Sequence, residues 1–179
     1  MIIIGVDPGT ILTGFGIIKS HKNQIEYLHS GIIKPNPKDE LPQKLNFIFQ
    51  ELNKLIKDFS PDIFCLETAF YDKNVQSVLK IGYVRGIAML AASNNKITFV
   101  EYSPREIKKA VVGNGSASKE QVQYMIKNLT TFNKTKFKFD ETDALAAAVC
   151  HSIKISSFDA KHKSWKNFIL QNPDRILNN

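Results

Sequence analysis

Apolar residues along the chain fall into short runs that are typical of strands and into spaced positions that are typical of helices. Five runs rich in β-branched or aromatic residues predict strands. They cover residues 2–6, 13–19, 24–34, 62–67 and 97–102. The first three runs follow one another closely and predict an antiparallel meander. Helical segments precede each of the last two, which predicts a parallel arrangement for those strands.

Apolar residues at three- and four-residue spacing predict helices around the last two strands. They cover residues 41–59 and 74–93, with further helices that start near residues 104, 119 and 140. Ser60 and Pro61 end the first helix, because a residue before proline avoids the helical conformation. Ser103 and Ser118 each stand three residues before a Glu or Gln. This spacing is a capping box, which starts a helix.

The order of these elements predicts an α/β fold. We expect a five-stranded mixed sheet with helices on both faces, three antiparallel strands coming first and two parallel strands after them. With 179 residues and 43% hydrophobic content, the chain is the size of one domain. We assign residues 1–155 to that domain. Residues 156–179 show no clear periodicity, and we expect them to form a loosely packed or mobile C-terminal tail.

Two glycines, Gly82 and Gly86, lie in the middle of the second predicted helix. Each costs roughly 1 kcal/mol of helix stability relative to alanine, so a contact must offset the loss. Their spacing puts both on one face, where the missing side chains let another backbone approach closely. The approaching helix belongs either to the same chain or to a second copy in a dimer, and the sequence leaves both alternatives open.

Four carboxylates stand at the ends of predicted elements. Asp7 ends the first strand, Glu67 ends the fourth, and Asp140 and Asp143 share a face at the start of the last helix. Taken one at a time, the acids have structural explanations. Asp7 can cap its Asp-Pro-Gly turn, and Asp140 can be the N-cap of the last helix with Asp143 as its capping-box partner. Together, four ionised acids would repel one another unless a multivalent cation lay between them. An all-oxygen donor set favours Mg²⁺ or Mn²⁺ over zinc.

Positive charge is concentrated in the second part of the chain. The net charge is +7, and residues 1–60 carry seven basic and six acidic side chains, so nearly all of the excess lies beyond them. Residues 105–138 contain only two acids and these basic residues: Arg105, Lys108, Lys109, Lys119, Lys127, Lys134, Lys136 and Lys138. We therefore expect this part of the protein to face a polyanion.

Two residue types near the acids suit a nucleic acid. Lys119 lies one residue into a helix beside a Gly-rich turn, where a phosphate can also meet backbone N–H groups. Phe70 and Tyr71 follow Glu67 in a predicted loop. A loop aromatic either stacks on an unpaired base or packs beneath its loop, and packing is the commoner arrangement.

The cysteines and the apolar runs indicate the compartment. Cys65 and Cys150 each lie in an apolar run, which is typical of buried thiols in a reducing environment. The sequence has no Cys/His cluster for zinc. The apolar runs are much shorter than a membrane span, and the N-terminus lacks a basic signal region. We expect a cytoplasmic protein that does not interact with membranes.

Four sequence blocks across about residues 2–155 contain these candidates. They are GVDPGTILTGFGII, ETAFYDKNVQSVLKIGYVRG, EYSPREIKKAVVGNGSASKEQV and DETDALAAAVCH. Together and in this order they resemble the RuvC family of Holliday junction resolvases. The resemblance implies a ribonuclease H-like fold, a homodimer, and Mg²⁺-dependent symmetrical nicking of four-way DNA junctions in recombination and repair.

The same resemblance implies residue roles. It assigns the catalytic and metal-binding acids to Asp7, Glu67, Asp140 and Asp143. It assigns DNA contacts to Phe70, Lys108 and Lys119. We expect two Mg²⁺ ions per subunit, for which Mn²⁺ can substitute, and a branch-migration helicase as a further partner.

Two other functions fit parts of the sequence. ATP-binding proteins of the actin and sugar-kinase type also have a G-x-D-x-G-T hairpin. That function requires a second D-x-G phosphate loop and an adenosine motif, and the sequence has neither downstream. A non-catalytic junction or RNA binder with a similar core is the third possibility. The four acids argue against it, because a binder gains nothing from negative charge near a phosphate backbone.

Overall fold

The computed structural model of the protein describes residues 1–21, 24–68, 75–130 and 138–171, with side chains described as far as residue 156. Five strands form one mixed sheet. They are β1 (Ile2–Asp7), β2 (Thr13–His21), β3 (Gln24–Ile33), β4 (Ile63–Glu67) and β5 (Thr98–Tyr102). Their spatial order is β3-β2-β1-β4-β5. The first three strands pair antiparallel, and β4 is parallel to both β1 and β5, as predicted.

Five helices accompany the sheet in the described part of the chain. They are α1 (Leu41–Phe59), α2 (Val75–Asn94), α3 (Pro104–Val112), α4 (Lys119–Leu129) and α5 (Phe139–Gln171). Capping boxes at Ser103 and Ser118 start α3 and α4, which confirms both predicted N-termini. Ser60 ends α1 in the left-handed conformation, with φ of 46°.

The start of α5 differs from one of the sequence alternatives. The helix begins at Phe139, so Asp140 lies inside its first turn and is not an N-cap. The capping explanation of Asp140 and Asp143 is therefore wrong. At its other end α5 continues as helix to Gln171, beyond the predicted domain boundary at residue 155. The division of the chain into a domain and a tail stays a prediction.

The two faces of the sheet carry separate cores. Alternation along β1 sends Ile3 to one face and Ile4 to the other, and both are fully buried. The face of Ile3 is covered by α3, α4 and α5, and the face of Ile4 by α1 and α2. This arrangement confirms the predicted helices on both faces of the sheet.

Glycines on the central strands allow α5 to lie directly against the sheet. A Cβ atom added at Gly5 would lie 2.0 Å from the carbonyl oxygen of Ala144, and one at Gly14 would lie 2.0 Å from that of Asp140. Gly14 is also the β2 residue opposite Asp7 in the strand register. The missing side chains therefore bring the acidic start of α5 to the end of β1.

One face of α2 packs on the sheet, whereas the opposite face is open. Its buried residues are Val84, Ala88, Ala91 and Ala92. Its outward apolar stripe, which we call the α2 stripe, consists of Val75, Leu79, Gly82, Tyr83, Gly86 and Leu90. A Cβ atom added at either glycine would have no described atom within 4 Å. Within the described residues, the alternative of a glycine-mediated contact inside the same chain is therefore wrong.

Helix α2 is long and apolar enough to cross a membrane, judged by length and composition alone. It is the single such helix among the described residues. Its contacts are those of a helix in this α/β domain. The inner face contributes to the core beneath the sheet. Arg85 of α2 also forms an ion pair with Glu101 of β5, with 2.6 Å between Nη2 and Oε1.

Candidate active site

Three of the four predicted acids, Asp7, Glu67 and Asp143, form one cluster. One carboxylate oxygen from each lies within 4.8 Å of the others. Asp7 and Glu67 end β1 and β4, which are parallel neighbours, so both side chains leave the same edge of the sheet. Asp143 joins them from the first turns of α5. The fold thus brings together acids that are up to 136 positions apart in the chain.

Asp140 lies beside this cluster. It faces the same side of α5 as Asp143, because the two residues are three positions apart. Its negative charge contributes to the raised pKa of Asp7. Asp140 and Asp7 line a cavity that extends from the cluster toward α1 and α2. The structure therefore places the fourth acid next to Asp7, outside the three-oxygen group.

The pKa values of two acids reflect their burial and, after it, their crowding. Burial is the largest cause that raises the pKa of Asp7 to about 7, and the charges of Asp143 and Asp140 add to it. Burial also raises the pKa of Glu67 to about 8, with further contributions from Asp7 and Asp143. A divalent cation would supply the opposite charge that these carboxylates lack. The donor set, with oxygen atoms only, therefore fits a hard divalent cation.

Lys119 lies at the edge of the acid cluster. Its Nζ donates a hydrogen bond to Oδ2 of Asp143 at 2.8 Å, and this bond is the largest cause that raises the pKa of Lys119. The side chain of Lys119 is 55% exposed, compared with 16% for Asp143. The ammonium group can therefore reach an anion from solvent while it remains next to the acids.

A cavity of about 290 Å³ contains the cluster and both predicted lysines. Its charged lining residues are Asp7, Glu67, Lys108, Lys119 and Asp143. The positive charge of Lys108 also lowers the pKa of Glu67 slightly against the larger raising effects. The predicted lysines and three predicted acids therefore share one cavity, while their roles toward DNA stay predictions.

Two basic residues near the acids were missed by the sequence analysis. Lys44 of α1 and Lys80 of α2 line the cavity that extends from Asp7 and Asp140. Neither belongs to the basic region of residues 105–138 that charge counting identified. The sequence contains no signal for them, because two helices that lie on either side of β4 in the chain must fold together before these lysines become neighbours.

Some predicted residues lie outside the described part of the chain. Phe70 and the adjacent Tyr71 belong to residues 69–74, and Lys134 and Lys136 belong to residues 131–137. The expected junction contact of Phe70 therefore stays a prediction. Asn74, the first residue of the predicted helix over residues 74–93, lies in the same segment.

Sequence comparison decides the family. A family model described as "Crossover junction endodeoxyribonuclease RuvC" matches residues 3–151. The chain belongs to the RuvC family. Among RuvC relatives, the protein of Chloroherpeton thalassium is 44% identical over 185 aligned positions, covering 99% of this chain and 100% of the relative. The RuvC protein of Colwellia psychrerythraea is 46% identical over 151 positions, covering 84% of this chain and 86% of the relative.

Solved structures confirm the predicted RuvC-type fold. RuvC of Thermus thermophilus, solved in complex with a Holliday junction substrate, superimposes with a TM-score of 0.82 at 24% identity. The alignment covers 88% of this chain and 96% of that one. The yeast mitochondrial Holliday junction resolvase gives a TM-score of 0.64 at 15% identity, covering 94% and 85% of the two chains. The ribonuclease H-like class expected from the sequence is therefore confirmed.

Proposed function

We propose that this RuvC family member is an endonuclease that resolves four-way DNA junctions by paired symmetrical nicks, in homologous recombination and DNA repair. The observation that carries the proposal is the single cavity in which Asp7, Glu67 and Asp143 lie beside Lys108 and Lys119. Acids without cations would repel a phosphodiester, whereas acids that hold divalent cations next to lysines can bind and hydrolyse one. Relatives that carry the name crossover junction endodeoxyribonuclease support this assignment.

The acids are the groups that would hold the metal. We assign Mg²⁺ coordination to Asp7, Glu67 and Asp143, with Asp140 as the fourth ligand of a two-ion site, and Mn²⁺ as a substitute with the same preference for oxygen. When bound, two such ions activate a water molecule and stabilise the leaving oxygen of the phosphodiester. The charges of Asp143 and Asp140 both raise the pKa of Asp7, so Asp7 is the acid whose charge a bound cation would offset together with that of each neighbour.

A direct test uses labelled four-way junctions, linear duplexes and RNA–DNA hybrids, each with Mg²⁺ or with EDTA. We expect paired nicks that are confined to the junction and that require Mg²⁺. Cleavage of the hybrid in place of the junction would make the protein a ribonuclease. Tight junction binding without any cleavage in Mg²⁺ would instead favour the non-catalytic binder.

Lys119 is expected to exchange Asp143 for a DNA phosphate when the junction binds. Lys119→Ala should weaken binding to junctions of all sequences about equally. It should also change the salt slope, which is the slope of the logarithm of the binding constant against the logarithm of the salt concentration. The magnitude of this slope should fall by about 0.9 for each phosphate that Lys119 neutralises in the wild type. Anisotropy titrations across a salt series measure both effects, in a Glu67→Gln background that prevents cutting.

Two further variants control the Lys119 experiment. Lys119→Arg retains the charge and should retain most of the salt slope. Lys57→Ala removes an exposed lysine at the end of α1, outside both cavities, and should bind like the parent protein. A salt slope for Lys119→Ala equal to that of Lys57→Ala would remove Lys119 from the phosphate contacts.

We propose that the protein is a homodimer in which the α2 stripes of two copies pair across a two-fold axis. Large apolar side chains on the stripe are exposed, among them Leu79 at 53%, Tyr83 at 47% and Leu90 at 51%. The open space above Gly82 and Gly86 would let the two backbones approach. Two symmetrical nicks also require two active sites, which a two-fold dimer supplies.

Gly86→Leu should weaken this dimer at least about tenfold, a loss of about 1.4 kcal/mol. The added side chain meets nothing in the described chain, and leucine favours helix over glycine, so the monomer should fold normally. Sedimentation of Gly86→Leu, with Gln50→Leu on the exposed face of α1 as the control, measures the effect. A monomeric wild-type protein with full paired-nick activity would contradict the dimer.

The cellular setting follows from the substrate. A resolvase acts on chromosomal DNA, so we propose a cytoplasmic location and cooperation with a branch-migration helicase.

Residues 156–179 are proposed as an appendage to the nuclease domain of residues 1–155. Phe70 is proposed to stack on a base at the crossover.

A further inference from the structure

A second, larger cavity adjoins the acid cluster on the side away from α3 and α4. Its volume is about 830 Å³, and it is lined by the β1–β2 turn, the first turn of α1, the first half of α2, and Asp140. Asp7, Pro8 and Ile81 line this cavity and the smaller acid cavity as well. The two cavities therefore meet at Asp7, and a single ligand can occupy both.

Two lysines reach this larger cavity from different helices. Lys44 is half-buried, and its Nζ donates a hydrogen bond to the carbonyl oxygen of Pro37 at 2.9 Å. Lys80 is exposed, and it forms no ion pair with any residue that the structure describes. Lys108 and Lys119 line the smaller cavity on the other side of Asp7. The acids thus lie between two pairs of lysines.

The charge of the larger cavity depends on the acids at its boundary. Asp7 and Asp140 balance Lys44 and Lys80 while the carboxylates are ionised and unligated. Divalent cations on the acids would leave the two lysines in excess. The cavity then becomes attractive to a polyanion under the conditions in which cleavage would occur.

An endonuclease must accommodate its substrate strand on both sides of the scissile phosphate. Lys108 and Lys119 line the cavity on one side of Asp7, and the larger cavity continues the open surface on the other side. Its exposed apolar residue Ile11, at 78% exposure, offers a contact surface for a sugar or base. Lysines suit phosphates because each ammonium is a compact point charge.

We propose that the larger cavity binds the cleaved strand beyond the scissile phosphate, with Lys44 and Lys80 as its phosphate contacts. This inference rests on the proposed function as a junction nuclease. The two lysines are positioning residues: they hold the strand so that the scissile phosphate lies over the acids. Their loss should weaken junction binding and slow cleavage at subsaturating protein concentrations, while cleavage at saturation falls less.

The test uses junctions in which one phosphate of the cleaved strand is replaced by an uncharged methylphosphonate, at successive positions on both sides of the cut. Affinities are measured with all four acids intact and with Ca²⁺ in place of Mg²⁺, because Ca²⁺ also binds carboxylate oxygens, and gels run in parallel check that the junction stays uncut. The parent protein should lose about three- to tenfold in affinity at sensitive positions on each side of the cut. On one side of the cut, methylphosphonate substitution should no longer lower the affinity of Lys80→Ala or Lys44→Ala, whereas on the other side it should lower it as in the parent. Lys119→Ala should show the reverse pattern.

Three controls make the result specific. Lys57→Ala should keep the full sensitivity of the parent on both sides. Lys80→Arg should restore it, because the charge returns. Equal thermal midpoints for all variants should show that folding is unchanged.

Two outcomes would overturn the subsite and are distinguishable from each other. If Lys80→Ala and Lys44→Ala respond like Lys57→Ala while the wild type nicks junctions, the subsite is wrong and the proposed function stands. If the wild type neither binds nor nicks junctions, the proposed function fails, and the subsite fails with it.

Discussion

Asp7→Asn is expected to reduce Mg²⁺-dependent junction cleavage by about 10³-fold or more, while junction binding survives. The charges of Asp143 and Asp140 both raise the pKa of Asp7, and Asp7 lines both cavities. Its loss would remove one of the three carboxylates that would hold the metal. The lysines that attract the DNA backbone would remain in place.

The measurement compares cleavage rates and junction affinities of Asp7→Asn with those of the wild type. Glu67→Gln should behave like Asp7→Asn, because Glu67 belongs to the same three-oxygen cluster. Asp58→Asn is the matched control, since Asp58 is an exposed acid at the end of α1. A near wild-type cleavage rate for Asp7→Asn would show that the metal assignment is wrong.

Without metal, the free energy of unfolding should fall by several kcal/mol as the pH rises from about 4.5 to 8. Burial and repulsion raise the pKa of Asp7 to about 7 and that of Glu67 to about 8. In the unfolded chain these acids titrate near their ordinary values, so the folded state binds more protons across this window. Stability is therefore greatest below the unfolded pKa and is lost as the pH rises through the folded pKa.

Other groups change stability at lower pH and in the opposite direction. Burial lowers the pKa of His151, so this residue favours folding as the pH rises through about 6.5. Hydrogen bonds from Lys154 and Ser103 lower the pKa of Glu106 to about 2, so its effect is complete above about pH 4.5. Between pH 6.5 and 8 the remaining effect of His151 is small and raises stability, so a loss of stability in this interval comes from the acid cluster.

Urea unfolding at pH 6.5, 7.2 and 8, with EDTA or with saturating Mg²⁺, measures this effect. We expect a loss of about 1–2 kcal/mol across the interval in EDTA. Mg²⁺ should remove most of the loss, because it binds the ionised acids of the folded state. Asp7→Asn should also reduce the loss, whereas Asp58→Asn should retain it. Constant or rising stability in EDTA would contradict the raised pKa values.

Much of the fold could be predicted because its local signals agree with its topology. The β-branched run before Asp7 forms the buried central strand, and capping boxes at Ser103 and Ser118 start the helices that they predict. The start of α5 was harder to locate. The Thr142 hydroxyl donates to the carbonyl oxygen of Phe139 at 2.8 Å, within a first turn that begins one residue before Asp140.

The inward face of α2 could not be predicted from its pattern, because apolar residues occupy several of its faces. Small residues such as Ala88 and Ala91 pack against the sheet, whereas the larger Leu79 and Leu90 point outward. Burial of alanine in place of leucine depends on how closely the helix approaches the sheet. That distance is set by the tertiary structure, and the spacing of apolar residues along the sequence does not indicate it.

The candidate site was predictable for the acids that end elements and less so for residues that converge from separate helices. Asp7 and Glu67 each follow an apolar strand, and parallel pairing places such ends at one sheet edge. Lys44 and Lys80 lack any comparable signal. Their proximity to Asp140 depends on the packing of α1 and α2 beneath the sheet.

The most direct measurement is cleavage of a supercoiled plasmid that extrudes a four-way junction as a cruciform. One nick relaxes the plasmid, removes the cruciform and leaves a nicked circle, whereas two nicks made while the junction persists give a linear product. With Mg²⁺, we predict mainly linear product from the wild type and none from a plasmid without the cruciform. A product of nicked circles alone, or equal cleavage of both plasmids, would contradict a resolvase that makes paired nicks at a junction.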